Sequence, residues 1–352
     1  MKRRQLFNIV LPLIILSISA LIFHKYYSGS PGQKGKNVNI VFTLEEGIDH
    51  APMIIGYERS FFKEAGLHAR LIPLASGGEV KQALAAGSAD IASGGAFNFL
   101  IAIAKNAPVK IVAFSSLTPL YLYVRPDSGL DTFKKLEGRN IACRPGGNSE
   151  LVIRYISRRE GFDAHTITCV DIDKSLRPQA LMKSKIIDAT LAGNNEMNKT
   201  EEAGAVLHKE WIGKGYSDLS IPGAAVIYNV AINTDSISKN PDILKAFVSA
   251  FIKTQSYIEA YPEESAKILN NYLANTTAGV IAPSVEQITK LWKERKEAYM
   301  TWQDPNILVE LSSLAKEVGM IDRALTKEEL FDLTFENELK KAQEDIYGKK
   351  QN

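Results

Sequence analysis

The sequence predicts an α/β protein built as two similar lobes, and three observations predict it. First, one set of landmarks occurs twice, about a hundred residues apart. Asn39-Ile40-Val41 through Ala89-Asp90-Ile91 is answered by Asn140-Ile141-Ala142 through Ile187-Asp188-Ala189. Between those ends, Glu64-Ala65-Gly66-Leu67 answers Arg159-Glu160-Gly161-Phe162, and Gln82-Ala83-Leu84 answers Gln179-Ala180-Leu181. Second, each copy reads strand, loop, helix closed by Gly, strand, polar loop, short helix, Asp, strand, which is a βαβαβ half. Third, glycine- or serine-rich loops follow predicted strands and lead into helices, an arrangement that belongs to ligand sites of open α/β sheets.

The elements follow in order. Val38 to Leu44 is the first strand. Ala51-Pro52 opens a helix, because proline lacks an N–H that would have no partner in a first turn. Met53, Ile54, Tyr57 and Phe61 keep a helical period until Gly66 stops it. Ala69 to Leu74, Ile91 to Ser93 and Val109 to Ser115 are further strands, with helices after Ser76-Gly77-Gly78-Glu79 and from Phe97 to Lys105. Pro119 to Arg125 carries the chain across to the second copy, and the β-prone run 224–232 brings it back. Helices are expected over 241–261, 262–272, 284–298 and 305–318, with an amphipathic tail over 327–346 packed on the first lobe. The lobes are thus expected at 38–120 plus 229–342 and at 121–228.

Bulk properties exclude several classes. Lys+Arg 42 against Asp+Glu 40 gives a net charge of +2, and no basic stripe interleaved with aromatics points to nucleic acid. The five histidines form no metal-ligand spacing, and no nucleophile-elbow motif is present. No cofactor or metal is expected. Lys2-Arg3-Arg4 followed by an apolar run from Ile9 to Phe23 reads as an export signal within residues 1–30, either cleaved or retained as an anchor. No Cys follows that run, so a lipoprotein is not expected. Cys143 and Cys169 both fall on predicted strands of the second copy. Bridge geometry between neighbouring parallel strands is poor, so two buried free thiols are expected.

With these blocks in order, the chain resembles the periplasmic substrate-binding proteins of ABC importers, in the nitrate/sulfonate/taurine and thiamine-pyrimidine (NMT1-like) group. The resemblance rests on His50-Ala51-Pro52-Met53 with Phe61-Phe62-Lys63-Glu64-Ala65-Gly66-Leu67 and on Gln82-Ala83-Leu84 through Gly87-Ser88-Ala89-Asp90-Ile91-Ala92. It rests equally on Leu136-Glu137-Gly138-Arg139-Asn140-Ile141-Ala142 with Pro145-Gly146-Gly147-Asn148-Ser149-Glu150, and on Asn240-Pro241 with Tyr261-Pro262-Glu263-Glu264. It covers roughly residues 38–342. It implies a type II periplasmic-binding-protein fold with two crossing strands as hinge. It implies a monomeric receptor that closes on one small polar organic solute, of sulfonate, carboxylate or pyrimidine type, and presents it to a membrane permease without catalysis. The alternatives are an enzyme on the same fold or an anchored ligand-sensing domain. Enzymes of that superfamily use cysteine-rich or first-lobe cysteine patterns, and this chain has no Cys before Cys143.

Candidate ligand contacts follow from the loops. Gly77 and Gly78, Gly95 with Ala96, and Gly146 with Gly147 let backbone approach a ligand, and helix N-termini favour anions. His50 either meets ligand or caps its helix. Phe97 either walls the pocket or joins the core. Asn148 and Ser149 can offer side-chain donors, and Arg144 either pairs with an anion or faces solvent. The resemblance places Asn194 and Glu196 at the site. Glu196, if buried, favours an amino-bearing ligand; otherwise it is a solvated carboxylate at a helix start. Tyr121, Tyr123 and Tyr228 either line the cleft or support the hinge. The pyrimidine branch carries a Trp-x-Pro-Asn pattern ahead of the first helix, whereas Thr43-Leu44-Glu45-Glu46-Gly47-Ile48-Asp49 stands here.

Overall fold

The computed structural model describes residues 35–44, 47–193, 196–211, 225–276, 283–294 and 299–348. The export segment, Glu45, Glu46, Asn194 and residues 212–224 lie outside them.

The chain forms two mixed sheets. The first holds β1 (Lys36–Thr43), β2 (Leu67–Leu74), β3 (Ile91–Gly95), β4 (Val109–Pro119) and β10 (Ala225–Asn233) in the spatial order β2-β1-β3-β10-β4. The second holds β5 (Tyr121–Val124), β6 (Asn140–Ala142), β7 (Thr168–Val170), β8 (Ala189–Ala192) and β9 (Val206–Leu207) in the order β7-β6-β8-β5-β9. Three parallel strands and then an antiparallel one occur in each. Ile40 pairs with Leu71 and Ile91; Ile141 pairs with Cys169 and Ala189. Only Leu120 separates β4 of the first sheet from β5 of the second.

The repeated Asn and Asp do the same work in both copies. In the first, Asp90 Oδ2 accepts from the Asn39 N–H at 2.8 Å, and the Asp90 N–H returns a bond to the Asn39 carbonyl at 3.0 Å. In the second, Asp188 Oδ2 accepts from the Asn140 N–H at 3.0 Å, and the Asp188 N–H donates to the Asn140 carbonyl at 2.6 Å. Each Asn side chain also donates to a nearby carbonyl, Ser88 and Ile186 respectively. The carboxylate satisfies the edge of the central strand and joins it to the start of the third strand, where the ladder has not yet begun.

Helices cover both sheets. In the first lobe α1 (Ala51–Glu58), α2 (Phe61–Glu64), α3 (Gly77–Ala85) and α4 (Ala96–Ala104) precede the crossing. The second lobe carries α5 (Asn148–Glu160), α6 (Arg177–Met182) and α7 (Met197–Glu202). After the return come α8 (Thr234–Ser238), α9 (Asp242–Ala260), α10 (Pro262–Thr276), α11 (Val285–Glu294), α12 (Asn306–Glu317), α13 (Lys327–Leu330) and α14 (Glu336–Tyr347). The expected C-terminal helices are present among the described residues, with 295–298 of the third lying outside them, and Phe331 interrupts the tail by bridging to Ile111 of β4. Gly66 at φ +84° and Gly161 at φ +70° end the matched helices of the two copies in the left-handed region, where a Cβ is costly. Phe62, Phe99, Phe114, Phe247 and Phe251 are fully buried in the first lobe. Each contributes about 2 kcal/mol of burial. A separate cluster of Leu122, Phe133, Ile141, Val152 and Ile156 holds the second lobe.

The expectation of free thiols is corrected. Cys143 and Cys169 form a disulfide, with Cα atoms 5.2 Å apart. Ile141 is the direct partner of Cys169, and Cys143 follows two residues on, so both cysteines point to one face of the sheet as diagonal neighbours. Cys143 also lies one residue past the end of β6, where the pleat no longer constrains it.

Candidate functional site

The two sheets meet around a cleft of about 670 Å³. The carboxyl ends of the parallel strands in both sheets face it: Ser76, Gly77 and Gly78 follow β2, Gly95 ends β3, Arg144 to Ser149 follow β6, Asp171 and Asp173 follow β7, and Gly193 follows β8. All three glycine loops singled out from sequence therefore line one cavity.

Two helix starts at the cleft have glycine at the N-cap, with no side chain to occupy the first N–H groups. Gly95 is the N-cap of α4 and Gly147 that of α5. The first N–H groups of a helix have no intrahelical partner and carry partial positive charge, so both starts are suited to an anion. Three of the loop glycines leave little room for a Cβ. A Cβ on Gly77 would stand 2.5 Å from Asn98 Nδ2, one on Gly95 3.2 Å from Val226 Cγ1, and one on Gly147 3.0 Å from the Arg144 carbonyl. Gly146 has φ +72°. Its N–H donates to Glu150 Oε2 at 2.6 Å, and Ser149 Oγ accepts from the Arg144 N–H at 3.2 Å, so the loop is held from within. The start of α3 differs: Ser76 Oγ accepts from the Glu79 N–H, and the Glu79 carboxylate accepts from the Ala75 N–H.

Charges of both signs line the cleft. Arg144 lies 3.5 Å from Asp171, and Arg177 lies 3.8 Å from Glu196. Arg177 and Glu196 are both buried. Glu196 Oε2 accepts from the Gly193 N–H at 3.0 Å, so this carboxylate belongs to a buried pair and not to a solvated helix start. Hydrogen bonds from the Ser175 hydroxyl and N–H hold the Asp173 carboxyl below its usual range. Asp49 is buried and accepts from the Thr118 hydroxyl. Lys81, in the second turn of α3, has no ion pair or hydrogen bond among the described residues; burial, then repulsion from Lys105, lowers its pKa below 10.5.

Several expected contacts sit elsewhere. His50 is fully buried behind the wall: one ring nitrogen bonds Thr43 Oγ1 at 2.9 Å and the other Ser93 Oγ at 2.8 Å. It does not line the cavity, and its side chain makes no cap bond to α1. The strand–helix junction turns Asp49, one residue earlier, to the cleft instead. Ala96 and Phe97 are buried in the first core and also leave the lining, because α4 turns them inward after Gly95. Asn148 lines the cleft, yet its side-chain amide crosses the seam to the Ala225 carbonyl at 3.3 Å. Tyr228 lines the cleft, while Tyr121 and Tyr123 pair within the second sheet. Asn194 lies outside the described residues. Sequence reasoning missed Lys81, Asn98, Thr118, Asp171, Asp173, Lys174 and Arg177. A helical turn counted onward from Ser76-Gly77-Gly78 and from Gly94-Gly95 would have reached Lys81 and Asn98.

Two α/β lobes with the site at their seam define the architecture of periplasmic binding proteins. The NMT1/THI5-like family model matches residues 47–265, more than half of the chain, and the chain belongs to that family. It is 24% identical over 257 residues to a putative binding protein, YtlA, of Bacillus subtilis, covering 71% of this chain and 75% of that one. Among solved structures it resembles the alkanesulfonate-binding protein SsuA of Xanthomonas axonopodis bound to MOPS, with TM-score 0.66, 15% identity and coverage of 85% and 99%. It also resembles the periplasmic nitrate-binding protein NrtA of Synechocystis, with TM-score 0.68, 16% identity and coverage of 88% and 90%.

Proposed function

We propose that this protein is a solute-binding receptor of an ABC importer. It captures one small organic solute bearing a sulfonate or carboxylate group and delivers it to a membrane permease without turning it over. One observation carries the reading: two helix starts without capping side chains, one from each lobe, face a cleft of about 670 Å³. An anion bridging them gains charge-assisted hydrogen bonds from both lobes, so closed lobes and bound solute stabilise each other. Lys81 adds a cation on the first lobe. The volume suits an organic molecule; a bare nitrate would leave most of it to water. The structural neighbours support the class, since one is an alkanesulfonate-binding protein and another a nitrate-binding protein. The basic and then apolar stretch within residues 1–30 fits export, with the receptor working beyond the cytoplasmic membrane.

The test is native mass spectrometry of the gently purified protein, followed by calorimetry with MOPS, succinate and nitrate as probes. One retained solute with an acidic group, and tighter binding of an organic anion than of nitrate, is the expected result. Conversion of the retained solute into product would overturn the receptor reading.

A further inference from the structure

Helix α5 belongs to both lobes. Val152, Ile153 and Ile156 pack into the second core. Leu151, fully buried, joins the first core, and Tyr155 packs against both. Leu151 and Tyr155 are four residues apart, as are Arg154 and Arg158, so each pair lies along one side of the helix. Both arginines reach the C-terminal end of α12 in the first lobe. Arg154 Nη1 donates to the carbonyl of Val318, the C-cap of α12, at 3.4 Å. Arg158 Nε lies 2.6 Å from Glu317 Oε1. Unsatisfied carbonyls and partial negative charge at a helix C-terminus make it a natural cation dock. Arg154 also grips Glu150, with Nε and Nη2 each 2.7 Å from Oε1, and Glu150 Oε2 accepts from the Gly146 N–H in the cleft.

We propose that α5 is an interlobe latch. Arg154 and Arg158 fasten the second lobe to the end of α12, outside the solute cleft. Arg154 is a positioning residue: docked on Val318, it holds Glu150 against Gly146 and so sets the glycine loop at the start of the same helix. Closing the lobes and shaping that loop are then one event. The bond from Asn148 to the Ala225 carbonyl is a further tie across the seam at the cleft.

The test uses the ligand-free full protein, so its failure would leave the receptor reading untouched. Glu317→Arg sets like charge against Arg158, and Arg158→Glu with Glu317→Arg restores the pair in reverse. Two quantities are read: the radius of gyration from small-angle scattering, and hydrogen exchange at the Gly146 amide. Glu317→Arg is expected to expand the molecule and speed that exchange about threefold to fivefold, the scale of one exposed ion pair. The charge swap is expected to return both to the parental values, and Arg154→Lys, which keeps the charge but loses the fork, to speed the exchange. Unchanged scattering and exchange in Glu317→Arg, or a swap that restores neither, would overturn the latch.

Discussion

Replacing Asp188 by alanine should weaken the second lobe while leaving the first intact. Asp188 Oδ2 accepts from the Asn140 N–H at 3.0 Å, and Oδ1 lies 3.5 Å from Arg125 Nη2. A hydrogen bond to a charged acceptor is worth about 1.5–3 kcal/mol, and the Asp188 side chain is 22% exposed, which places it at the lower end. The loss is therefore about 2 kcal/mol, or about 4 °C in melting temperature. Hydrogen exchange gives the sharper assay. The Asn140 amide should exchange about thirtyfold faster, since 1.4 kcal/mol is a factor of ten. The Asn39 amide should not change. Asp90→Ala should do the reverse, because Asp90 Oδ2 holds the Asn39 N–H at 2.8 Å. Equal loss of protection at both amides in either variant would refute the argument that the two copies are separately clamped.

Four further outcomes are expected. Lys81→Met should weaken binding of an organic anion about tenfold, the loss of one bond to a charged group, with little change in melting temperature; isothermal calorimetry measures it. Because the Lys81 pKa is lowered, anion affinity should fall with rising pH before 10.5 is reached, and Lys81→Arg should remove that fall. Cys143→Ala with Cys169→Ala should cost about 3.5 kcal/mol by chain entropy for a separation of 26 residues, read by urea unfolding. His208 is buried and its ring stacks on Phe133 at 4.9 Å; burial lowers its pKa below 6.5. The unfolded chain therefore binds the proton more readily, so stability should decline as pH falls through 6.5, by up to 1.4 kcal/mol per unit, and His208→Gln should flatten that slope.

Much of the architecture was legible because repeated chemistry left repeated residues. Asn39 with Asp90 and Asn140 with Asp188 make the same bonds, so the same letters recur at the same places. The glycine loops were legible because some of their positions favour glycine: Gly146 stands at φ +72°, and a Cβ on Gly147 would stand 3.0 Å from the Arg144 carbonyl. The details of the lining were not. Asp49 and His50 are neighbours, yet one faces the cleft and the other bonds Thr43 and Ser93 behind it, a distinction set by the turn between strand and helix. Lys81 and Asn98 sit on helices α3 and α4, where such residues are commonplace, and only the approach of the two helices brings them to one cavity. Arg177 is buried beside Glu196 from a different helix, a meeting that no local spacing announces. The disulfide was missed because its cysteines were read as interior to strands, whereas Cys143 stands just beyond one.

The order in which the ribbon is made has a consequence. Strand β10 sits between β3 and β4, one place in from the edge of the first sheet, but among the described residues it is the last strand to be synthesised. Until residue 233 emerges, β3 and β4 present bare edges to each other and nothing joins β4 to the rest of the sheet. A nascent or truncated polypeptide ending before Ala225 therefore holds its N-terminal third as an unfinished, sticky half, and the molecule can consolidate only once nearly two thirds of it exists.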